Sequence, residues 1–248
     1  MTTAVQLRHA FVSSDSEASI HDHSGTPSAA VAAILRETAV GLELLFIERA
    51  RCPGDPWSGD IAFPGGRLEA GDADARAAAE RETLEEIGLD LTAAEALGRL
   101  TDLTTSDEQM VVAAFVYYLT DAGGFDEDPP RQLSSEVADA FWFPINALLE
   151  PNRHSRQTFE SRGTDRGYAT IELLGMGRPV LWGVTHRLVA RLLQRLGCYS
   201  ADSADPVSPI PPPTSETARR NEDASRPGPI PQRGVPRGAG GRPSRPAG

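Results

Sequence analysis

A diglycine turn followed by a helix is the feature that most constrains this chain. In Phe63-Pro64-Gly65-Gly66 the two glycines give a ligand close access to the backbone. Beyond this turn, every residue from Ala73 to Ile87 is compatible with a helix. Asp72 and Asp74 are candidate N-caps, and Gly88 is suited to end the helix as a C-cap. We therefore predict a turn that leads into a helix over 73–87.

Three glutamates share one face of this predicted helix. At about 100° per residue, Glu85 lies about 60° to one side of Glu82 and Glu86 about 40° to the other. A core-facing stripe is predicted on the opposite side, formed by Ala73, Ala77, Leu84 and Ile87. Glu80 falls within that stripe and disagrees with it. The three carboxylates are therefore expected to face the glycine turn.

Carboxylates this close repel one another, by roughly a few tenths of a kcal/mol for the i,i+4 pair. A divalent cation would offset the repulsion, because hard oxygen ligands on a rigid element suit such an ion, and the neighbouring Arg81 is the other candidate. A solvated acidic face is the alternative for an E-x-x-E-E pattern taken alone. The preceding glycine turn favours a combined site for metal and polyphosphate.

The charge balance argues against general binding to nucleic acid. The chain has 35 acidic residues against 24 basic ones, all of them arginine, which gives a net charge of −11. Phosphate neutralisation requires a basic surface instead. No apolar run approaches the roughly 18 residues of a membrane span, and the N-terminus lacks the apolar core of a signal peptide. We expect a cytoplasmic protein that binds neither nucleic acid nor membrane.

Composition divides the 248 residues into three parts. Residues 201–248 hold 11 of the 20 prolines and no aromatic residue, so they bury too little apolar surface to fold and are predicted to be disordered. Residues 1–26 are predicted to be a flexible extension, and 27–200 the folded domain. Docking of an unknown partner by the Arg/Pro-rich tail and formation of a homodimer are open alternatives.

Apolar patterning predicts an α+β fold. Two runs, Ala29–Leu35 and Leu42–Ile47, indicate strands joined by a turn, and a short strand follows around Ile61–Phe63. Beyond the acidic helix, the pattern predicts strands at Leu97–Leu103, Val111–Leu119, Val137–Phe143 and Ala169–Leu174, a helical turn at Ile145–Leu149, and an amphipathic helix at Val184–Leu196. This order is typical of a mixed sheet with helices on its faces.

Residues 65–89 resemble the Nudix box. The box follows G-x5-E-x7-R-E-U-x-E-E-x-G-U, where U is a large apolar residue, and this chain has Gly65-Gly66 and then R-E-T-L-E-E-I-G-L from Arg81 to Leu89. Thr83 stands where an aliphatic residue is commoner, and the acid before the helix is Asp72, with eight residues instead of seven before Arg81. The resemblance implies a Nudix-type α/β/α sandwich with a mixed sheet and a loop–helix–loop catalytic motif.

The longer spacer is similar to that of the coenzyme A diphosphatase subgroup of Nudix proteins. Upstream, Arg49 and the sequence G-D-I-A-F-P-G-G at 59–66 resemble the end of the subgroup signature, although its L-R-x-H part is replaced by Gly54-Asp55-Pro56-Trp57. Downstream, residues 136–144 and 181–185 resemble its later strand and final helix. The resemblance covers about residues 28–198.

The resemblance also implies roles for individual residues. Metal ligands for Mg²⁺ or Mn²⁺ would be Glu82, Glu85, Glu86 and the backbone carbonyl of Gly66. Arg81 would orient a metal-binding glutamate. Glu85 or Glu86 would activate the attacking water, and Glu136 is an outside candidate for this base, with a plain surface role equally compatible.

Residues around the loop are candidates for substrate binding. Arg49, Arg51 and Arg67 flank the glycine turn and are suited to bidentate contacts with phosphates, with a solvated surface role as the alternative for each. Trp57 would stack on an adenine or cover a pantetheine arm, and a packing role is equally compatible.

The sequence therefore predicts a metal-dependent diphosphatase for a small nucleotide substrate. Coenzyme A or acyl-CoA would be split into adenosine 3′,5′-bisphosphate and (acyl-)4′-phosphopantetheine. Hydrolysis of ADP-ribose or of a dinucleotide such as NADH is the alternative within enzymes. A nucleotide-sensing Nudix module without activity is the alternative from another class, and the three mutually repelling glutamates argue against it.

Overall fold

A computed structural model of the chain describes residues 3–12, 26–53, 57–105, 110–120, 132–161 and 164–198. At residues 160, 161, 164 and 165 only the backbone is described. All of these belong to one unit, which spans 1–210. Residues 13–25 and the tail at 201–248 lie outside the described residues, so the flexibility predicted for them stays a prediction.

Three helices and nine strands occur in the described ranges. The helices are α1 (Ala4–Val12), α2 (Ala75–Ile87) and α3 (Gly183–Arg195). The strands are β1 (Ala29–Thr38), β2 (Gly41–Arg49), β3 (Ile61–Ala62), β4 (Gly65–Arg67), β5 (Glu95–Thr104), β6 (Val111–Leu119), β7 (Val137–Pro144), β8 (His154–Ser161) and β9 (Thr164–Ile171). Short 3₁₀ turns are formed by Leu91–Ala93, Ile145–Leu149 and Pro151–Arg153.

A mixed sheet of seven strands, β1 to β7, is built around β1. This strand pairs in parallel with β6, which pairs antiparallel with β5. On its other side β1 pairs with β2 over Leu35–Thr38 and, farther from the hairpin turn, with β4 over Ala29–Val31. Likewise β2 passes from β1 to β3, while its opposite edge pairs with β7. The two hairpin strands thus separate, and the Phe63–Gly66 turn lies between them.

Helix α2 packs on a face of this sheet that is lined by small residues. Ala30 and Ala32 of β1 and Ala113 of β6 are fully buried beneath Ala78 and Ala79 of the helix. Because none of these side chains extends beyond Cβ, the helix approaches the sheet closely. The glycine turn and the helix that follows it are therefore brought against each other.

The opposite face of the sheet is covered by α1 and α3. The helical spacing predicted a buried stripe of Val189, Leu192, Leu193 and Leu196; the first three are buried there together with Leu188, and Leu196 is partly buried. Leu7 and Phe11 of α1 join the same cluster, at 0% and 3% exposure. The prediction of a flexible extension over 1–26 is therefore wrong for residues 4–12, because two large apolar side chains one helical turn apart anchor that segment in the core.

A separate two-stranded sheet is formed by β8 and β9. A strand was predicted only at 169–174, whereas the second strand ends at Ile171 and its partner β8 was missed altogether. Polar side chains cover most of β8, and Ser155, Arg156, Gln157 and Thr158 are all exposed, so no apolar alternation marks this strand.

The predicted α+β class with helices on both faces of a mixed sheet is confirmed. Two apolar clusters separate the layers, one between the sheet and α2, the other between the sheet and the α1/α3 layer. None of the described helices has the length and apolar character needed to cross a membrane.

Candidate active site

Helix α2 is fixed at both ends by its caps. The Asp74 carboxylate accepts a hydrogen bond from the Ala77 amide at 2.8 Å. At the other end, Gly88 has a φ of 68°, and its amide donates to the Leu84 carbonyl at 2.9 Å. Both caps agree with the sequence prediction. The helix begins two residues later than predicted, because Asp74 and not Asp72 caps it.

The face of α2 that packs on the sheet is not the predicted one. Its buried residues are Ala78, Ala79, Thr83, Glu86 and Ile87. Leu84, predicted to be in the core, is 51% exposed, so Glu86 lies on the buried face and the three glutamates are not equivalent. Alanine is only weakly hydrophobic, so the spacing of apolar residues in α2 did not identify which face of the helix is buried.

Two residues that disagreed with the expected patterns have structural partners. Thr83, at the position where the Nudix box usually has an aliphatic residue, is fully buried, and its hydroxyl donates to the Ala79 carbonyl at 2.7 Å. Glu80 accepts a hydrogen bond at 2.8 Å from the hydroxyl of Tyr117, which is buried in the sheet. Both polar groups are thus satisfied beneath or beside the helix.

Glu86 is a buried carboxylate at the glycine turn. Its side chain is 5% exposed, and Oε2 accepts a hydrogen bond from the Gly65 amide at 2.9 Å. Burial raises the pKa of Glu86 to about 7, with smaller contributions from the charges of Glu82 and Glu136. The Gly65 amide and Arg49 oppose the rise. A carboxylate held in this way gains by having a cation beside it.

Glu82 lies against Gly66. A Cβ atom placed on Gly66 would collide with the Glu82 carboxylate, with Oε2 at 2.8 Å, so only glycine lets the carboxylate reach the backbone of β4 here. The pKa of Glu82 is raised, chiefly by burial, while Arg81 lowers it. The charges of Glu85 and Glu136 add to the rise. Two partly desolvated carboxylates therefore meet at the diglycine turn.

Arg81 binds the acidic groups around the turn. Its Nη1 donates to Glu82 Oε1 at 3.0 Å and to Glu85 Oε2 at 3.1 Å. Its Nη2 donates to the Arg67 carbonyl at 3.2 Å. The guanidinium thus links the helix to β4 and stands between two of the glutamates, which agrees with an orienting role.

Asp72 is the strongest partner of Arg81, and it was not among the predicted site residues. Its carboxylate accepts from Arg81 Nε at 3.0 Å and from Nη2 at 3.1 Å, and it also accepts from the Glu69 amide at 2.7 Å. These bonds lower the pKa of Asp72, the pair with Arg81 most of all. The sequence signal that could have identified Asp72 is its position in the Nudix box, where it is the acid before the helix, separated from Arg81 by eight residues instead of seven.

The predicted set of three glutamate ligands is not assembled in this arrangement. Glu85 is 61% exposed and paired with Arg81, and within the described ranges no three carboxylate, imidazole or thiol groups converge as a complete metal site. The donor chemistry nevertheless fits a hard divalent ion at Glu82 and Glu86, because both are carboxylates raised in pKa by burial beside a glycine that has no side chain.

Arg49 lies beside Glu86, and the charge of Glu136 acts on both Glu82 and Glu86. Arg49 Nη1 lies 4.0 Å from Glu86 Oε1. The Glu136 carbonyl accepts from the Ala50 amide at 2.8 Å, and its amide donates to the Ser134 hydroxyl at 3.2 Å. Ser134 in turn donates from its amide to the Glu86 carbonyl at 2.8 Å. Glu136 is exposed, so its side chain has the access that a general base needs.

The other predicted substrate residues lie at the exposed rim. Arg51 and Arg67 have exposed side chains, and Arg67 meets Arg81 only through its carbonyl. Trp57 is 38% exposed, and its carbonyl accepts from the Asp60 amide at 3.1 Å. Their roles in binding remain predictions.

This geometry agrees with a comparison of sequences. The family model described as the NUDIX domain matches residues 26–161, more than half of the chain. The chain belongs to the Nudix family. Nudix hydrolases generally use divalent metal ions, and the matched range contains the diglycine turn, α2, Arg49 and Glu136.

Curated relatives of this Nudix protein include eukaryotic and bacterial proteins. A probable nudix hydrolase of Schizosaccharomyces pombe is 31% identical over 161 residues, 64% of this chain and 53% of that protein. The mitochondrial coenzyme A diphosphatase NUDT8 of Homo sapiens is 31% identical over 138 residues, 56% of each chain. The chain thus spans little more than half the length of these relatives.

Solved structures of Nudix proteins are also similar. A MutT/nudix family protein from Enterococcus faecalis matches with a TM-score of 0.47 and 17% identity, covering 79% of this chain and 75% of that one. The NUDIX domain of Shewanella oneidensis NrtR, in complex with ADP ribose, matches with a TM-score of 0.38 and 15% identity, covering 56% of this chain and 85% of that one.

Proposed function

We propose that this Nudix protein is a divalent-metal-dependent hydrolase of a diphosphate linkage in a nucleoside-diphosphate derivative. One observation carries the proposal, the pair of desolvated carboxylates at the diglycine turn. Glu86 is bonded to the Gly65 amide, and Glu82 occupies the space that a side chain on Gly66 would fill. A module that only sensed a nucleotide would have no need to keep two such carboxylates together.

The residues of the site have separate tasks in this reaction. Glu82 and Glu86 would hold a divalent ion, which would neutralise charge on the non-bridging oxygens and lower the pKa of the attacking water. Arg49 would hold a substrate phosphate, a role supported by the position of its guanidinium 4.0 Å from Glu86. Arg81 keeps Glu82 and Glu85 oriented, since it bonds to both. Glu85, Glu86 and Glu136 are the candidates for the base that takes the proton of the attacking water.

The bond changes are those of diphosphate hydrolysis. The water oxygen forms a bond to one phosphorus, and the bond from that phosphorus to the bridging oxygen breaks. The water proton goes to the base, and the bridging oxygen leaves with the second phosphate. Products are two phosphate monoesters.

Coenzyme A or acyl-CoA is the substrate we favour. The similarity to the coenzyme A diphosphatase NUDT8 at 31% identity supports this class, as does the chain's own G-D-I-A-F-P-G-G sequence. The products would then be adenosine 3′,5′-bisphosphate and (acyl-)4′-phosphopantetheine. The absence of an L-R-x-H sequence in the chain keeps ADP-ribose and NADH in the comparison.

A substrate panel tests the proposal. The purified full chain is incubated with Mg²⁺ or Mn²⁺ and with CoA, dephospho-CoA, ADP-ribose or NADH, and the products are separated and identified. We expect turnover of CoA to exceed that of the others and to stop when the metal is chelated. Preference for ADP-ribose or NADH would contradict the coenzyme A assignment. No turnover of any compound, with tight binding of one, would contradict the enzyme and favour a sensor.

Three further predictions attach to this function. They are a cytoplasmic location, a homodimer, and docking of a partner by residues 201–248. Removing that tail should leave turnover in the panel unchanged if it serves interactions only.

A further inference from the structure

Two segments that resemble parts of the coenzyme A diphosphatase subgroup, residues 59–66 and 181–185, meet through one side-chain hydrogen bond. Trp182 Nε1 donates to Asp60 Oδ1 at 2.9 Å, although 122 residues separate them. Asp60 lies just before the Phe63–Gly66 turn, and Trp182 lies just before α3. Both side chains are half-buried.

The main chain of Asp60 holds the end of β2. Its carbonyl accepts from the Arg49 amide at 2.9 Å, and its own amide donates to the Trp57 carbonyl at 3.1 Å. Arg49 is the residue whose guanidinium lies beside Glu86. The position of Arg49 therefore depends on where Asp60 is held.

Trp182 is itself held by an aromatic cluster. Its ring stacks on Phe159 of β8 with centroids 4.1 Å apart and planes at 7°. Tyr168 of β9 packs edge-on against it, with centroids 5.2 Å apart. Such contacts restrict the indole ring, so its N–H has a defined direction. The Asp60 carboxylate thus bonds to a donor that is fixed before substrate arrives.

A second contact joins the same two regions. Arg178 donates to Glu48 at 2.7 Å, and Glu48 directly precedes Arg49 in β2. The segment that leads into α3 is therefore fastened to the end of β2 at Glu48 and to the loop at Asp60.

We propose that Asp60 is a positioning residue of the active site, held by Trp182, which places Arg49 beside Glu86 for binding of the substrate phosphate. The carboxylate accepts the indole N–H, while the carbonyl of the same residue receives the Arg49 amide. Loss of either side-chain group releases Asp60 and with it the end of β2. The kinetic part of this inference rests on the proposed function.

Four variants of the full chain test the link. Trp182→Phe keeps a ring for the aromatic cluster and removes only the N–H donor, and Asp60→Ala removes the acceptor. Asp60→Asn keeps an acceptor oxygen and serves as the conservative rescue. Trp142→Phe is the matched control, because the buried Trp142 Nε1 has no acceptor among the described residues.

The first readout needs no substrate. Hydrogen exchange of the Arg49 amide, measured by NMR, should be faster in Asp60→Ala and Trp182→Phe than in the wild type and unchanged in Asp60→Asn and Trp142→Phe. The chain has three tryptophans, so the Trp182 indole N–H signal is assigned by its loss in Trp182→Phe. Asp60→Ala should shift this signal.

The second readout is turnover of whichever compound the panel identifies. We expect kcat/KM to fall by about tenfold to 100-fold in Asp60→Ala and Trp182→Phe, as for other losses of positioning. Asp60→Asn should stay close to wild type, and the double variant should be no worse than Asp60→Ala, because both changes break one contact. Unfolding midpoints show whether each variant is folded, and Asp60→Ala removes no apolar packing.

Each outcome decides between the two proposals. Normal kcat/KM in Asp60→Ala and Trp182→Phe, with an active wild type, would overturn the positioning role. A wild type inactive on every diphosphate would contradict the proposed function instead, and exchange of the Arg49 amide would then decide the structural link alone.

Discussion

The guanidinium of Arg81 donates two hydrogen bonds to the Asp72 carboxylate, from Nε at 3.0 Å and from Nη2 at 3.1 Å. Asp72 lies at the end of the loop and Arg81 in the middle of α2, so the pair ties the loop to the helix. It also leaves Nη1 directed at Glu82 and Glu85. The geometry of the two glutamates therefore depends on an acid outside the helix.

Removing Asp72 should weaken metal use. In Asp72→Ala, Arg81 is free to pair more closely with Glu82 and Glu85 and to compete with a cation for them. We expect the Mg²⁺ concentration that gives half-maximal turnover to rise by about tenfold or more, a typical loss for a residue that orients metal ligands. Asp90→Ala is the control, since Asp90 caps a short turn by accepting from the Thr92 amide. An unchanged Mg²⁺ requirement in Asp72→Ala would show that the pair is not needed for orientation.

A methyl group on Gly66 should impair activity more than stability. The new Cβ would meet the Glu82 carboxylate, which is the far end of a flexible side chain and can move aside at small cost to folding, although it then leaves Arg81. The displaced carboxylate would then be lost to the site, so we expect kcat to fall by about 100-fold or more. Gly71→Ala is the matched control, because nothing lies within 4 Å of its added Cβ. Equal turnover in the two variants would contradict the role of Glu82 at this position.

Glu86→Gln should stabilise the metal-free protein while abolishing turnover. The pKa of Glu86 is about 7 in the folded chain, above the ordinary 4.5, so the folded state binds more protons between these values. Relative to Glu86→Gln, the metal-free wild type should therefore lose up to about 3 kcal/mol of stability as pH rises from 4.5 to 7. Urea unfolding in chelator at pH 5 and 8 measures it. Glu85→Gln is the control, because Glu85 is exposed, and it should lose stability relative to Glu86→Gln between pH 5 and 8 as the wild type does. If Glu86→Gln were less stable than the wild type at pH 8, the argument would be contradicted.

Divalent ions should stabilise the wild type and not Glu86→Gln. An ion that binds only the folded state at 100 times its Kd adds about 2.7 kcal/mol. The unfolding midpoint should therefore rise with Mg²⁺ or Mn²⁺ in the wild type and change little in Glu86→Gln. Equal shifts in both proteins would place the binding site elsewhere.

Burial of His186 should make the protein sensitive to acid. Burial lowers the pKa of His186 to about 4, from 6.5, and His154 contributes. The unfolded chain then binds more protons than the folded one between these values, so stability falls as pH drops from 6.5 towards 4, by up to about 3 kcal/mol. Urea unfolding in chelator at pH 7 and 5 should show that the free energy of unfolding of the wild type falls at the lower pH relative to that of His186→Gln; the opposite contribution of Glu86 is present in both proteins and cancels in this difference. The exposed His9, changed to Gln, is the control, and an equal change in all three proteins would rule out His186 as the cause.

The sequence predicted best what is encoded locally. Helix α2 and its caps Asp74 and Gly88 follow from short-range rules, and the β1–β2 hairpin follows from two apolar runs. The predicted orientation of α2 was wrong because only Ile87 on its buried face is strongly apolar, and the other buried residues are two alanines, a threonine and a carboxylate.

Contacts between distant segments were beyond local patterns. The bond between Asp60 and Trp182 joins residues 122 apart, and nothing in either segment encodes its partner. Helix α1 was missed although six of its nine residues are apolar, because a helix this short is marginal by itself, and only tertiary packing shows that Leu7 and Phe11 reach the core. At the site, the sequence indicated which residue types gather, while the pairing of Arg81 with Asp72, Glu82 and Glu85 required coordinates.

The separation of β1 from β2 also has an evolutionary consequence. A Cβ atom at position 65 would collide with the Ala30 carbonyl oxygen and would lie 2.6 Å from the Val31 Cα. Replacement of Gly65 is therefore prevented by the main chain of β1 and not by a need to leave room for the substrate. We therefore expect changes of substrate preference in such a scaffold to arise at rim positions, for which the exposed Arg51 and Trp57 are the candidates. We expect the residues packed against the sheet to change little among relatives, and those at the exposed rim of the site to vary with the substrate.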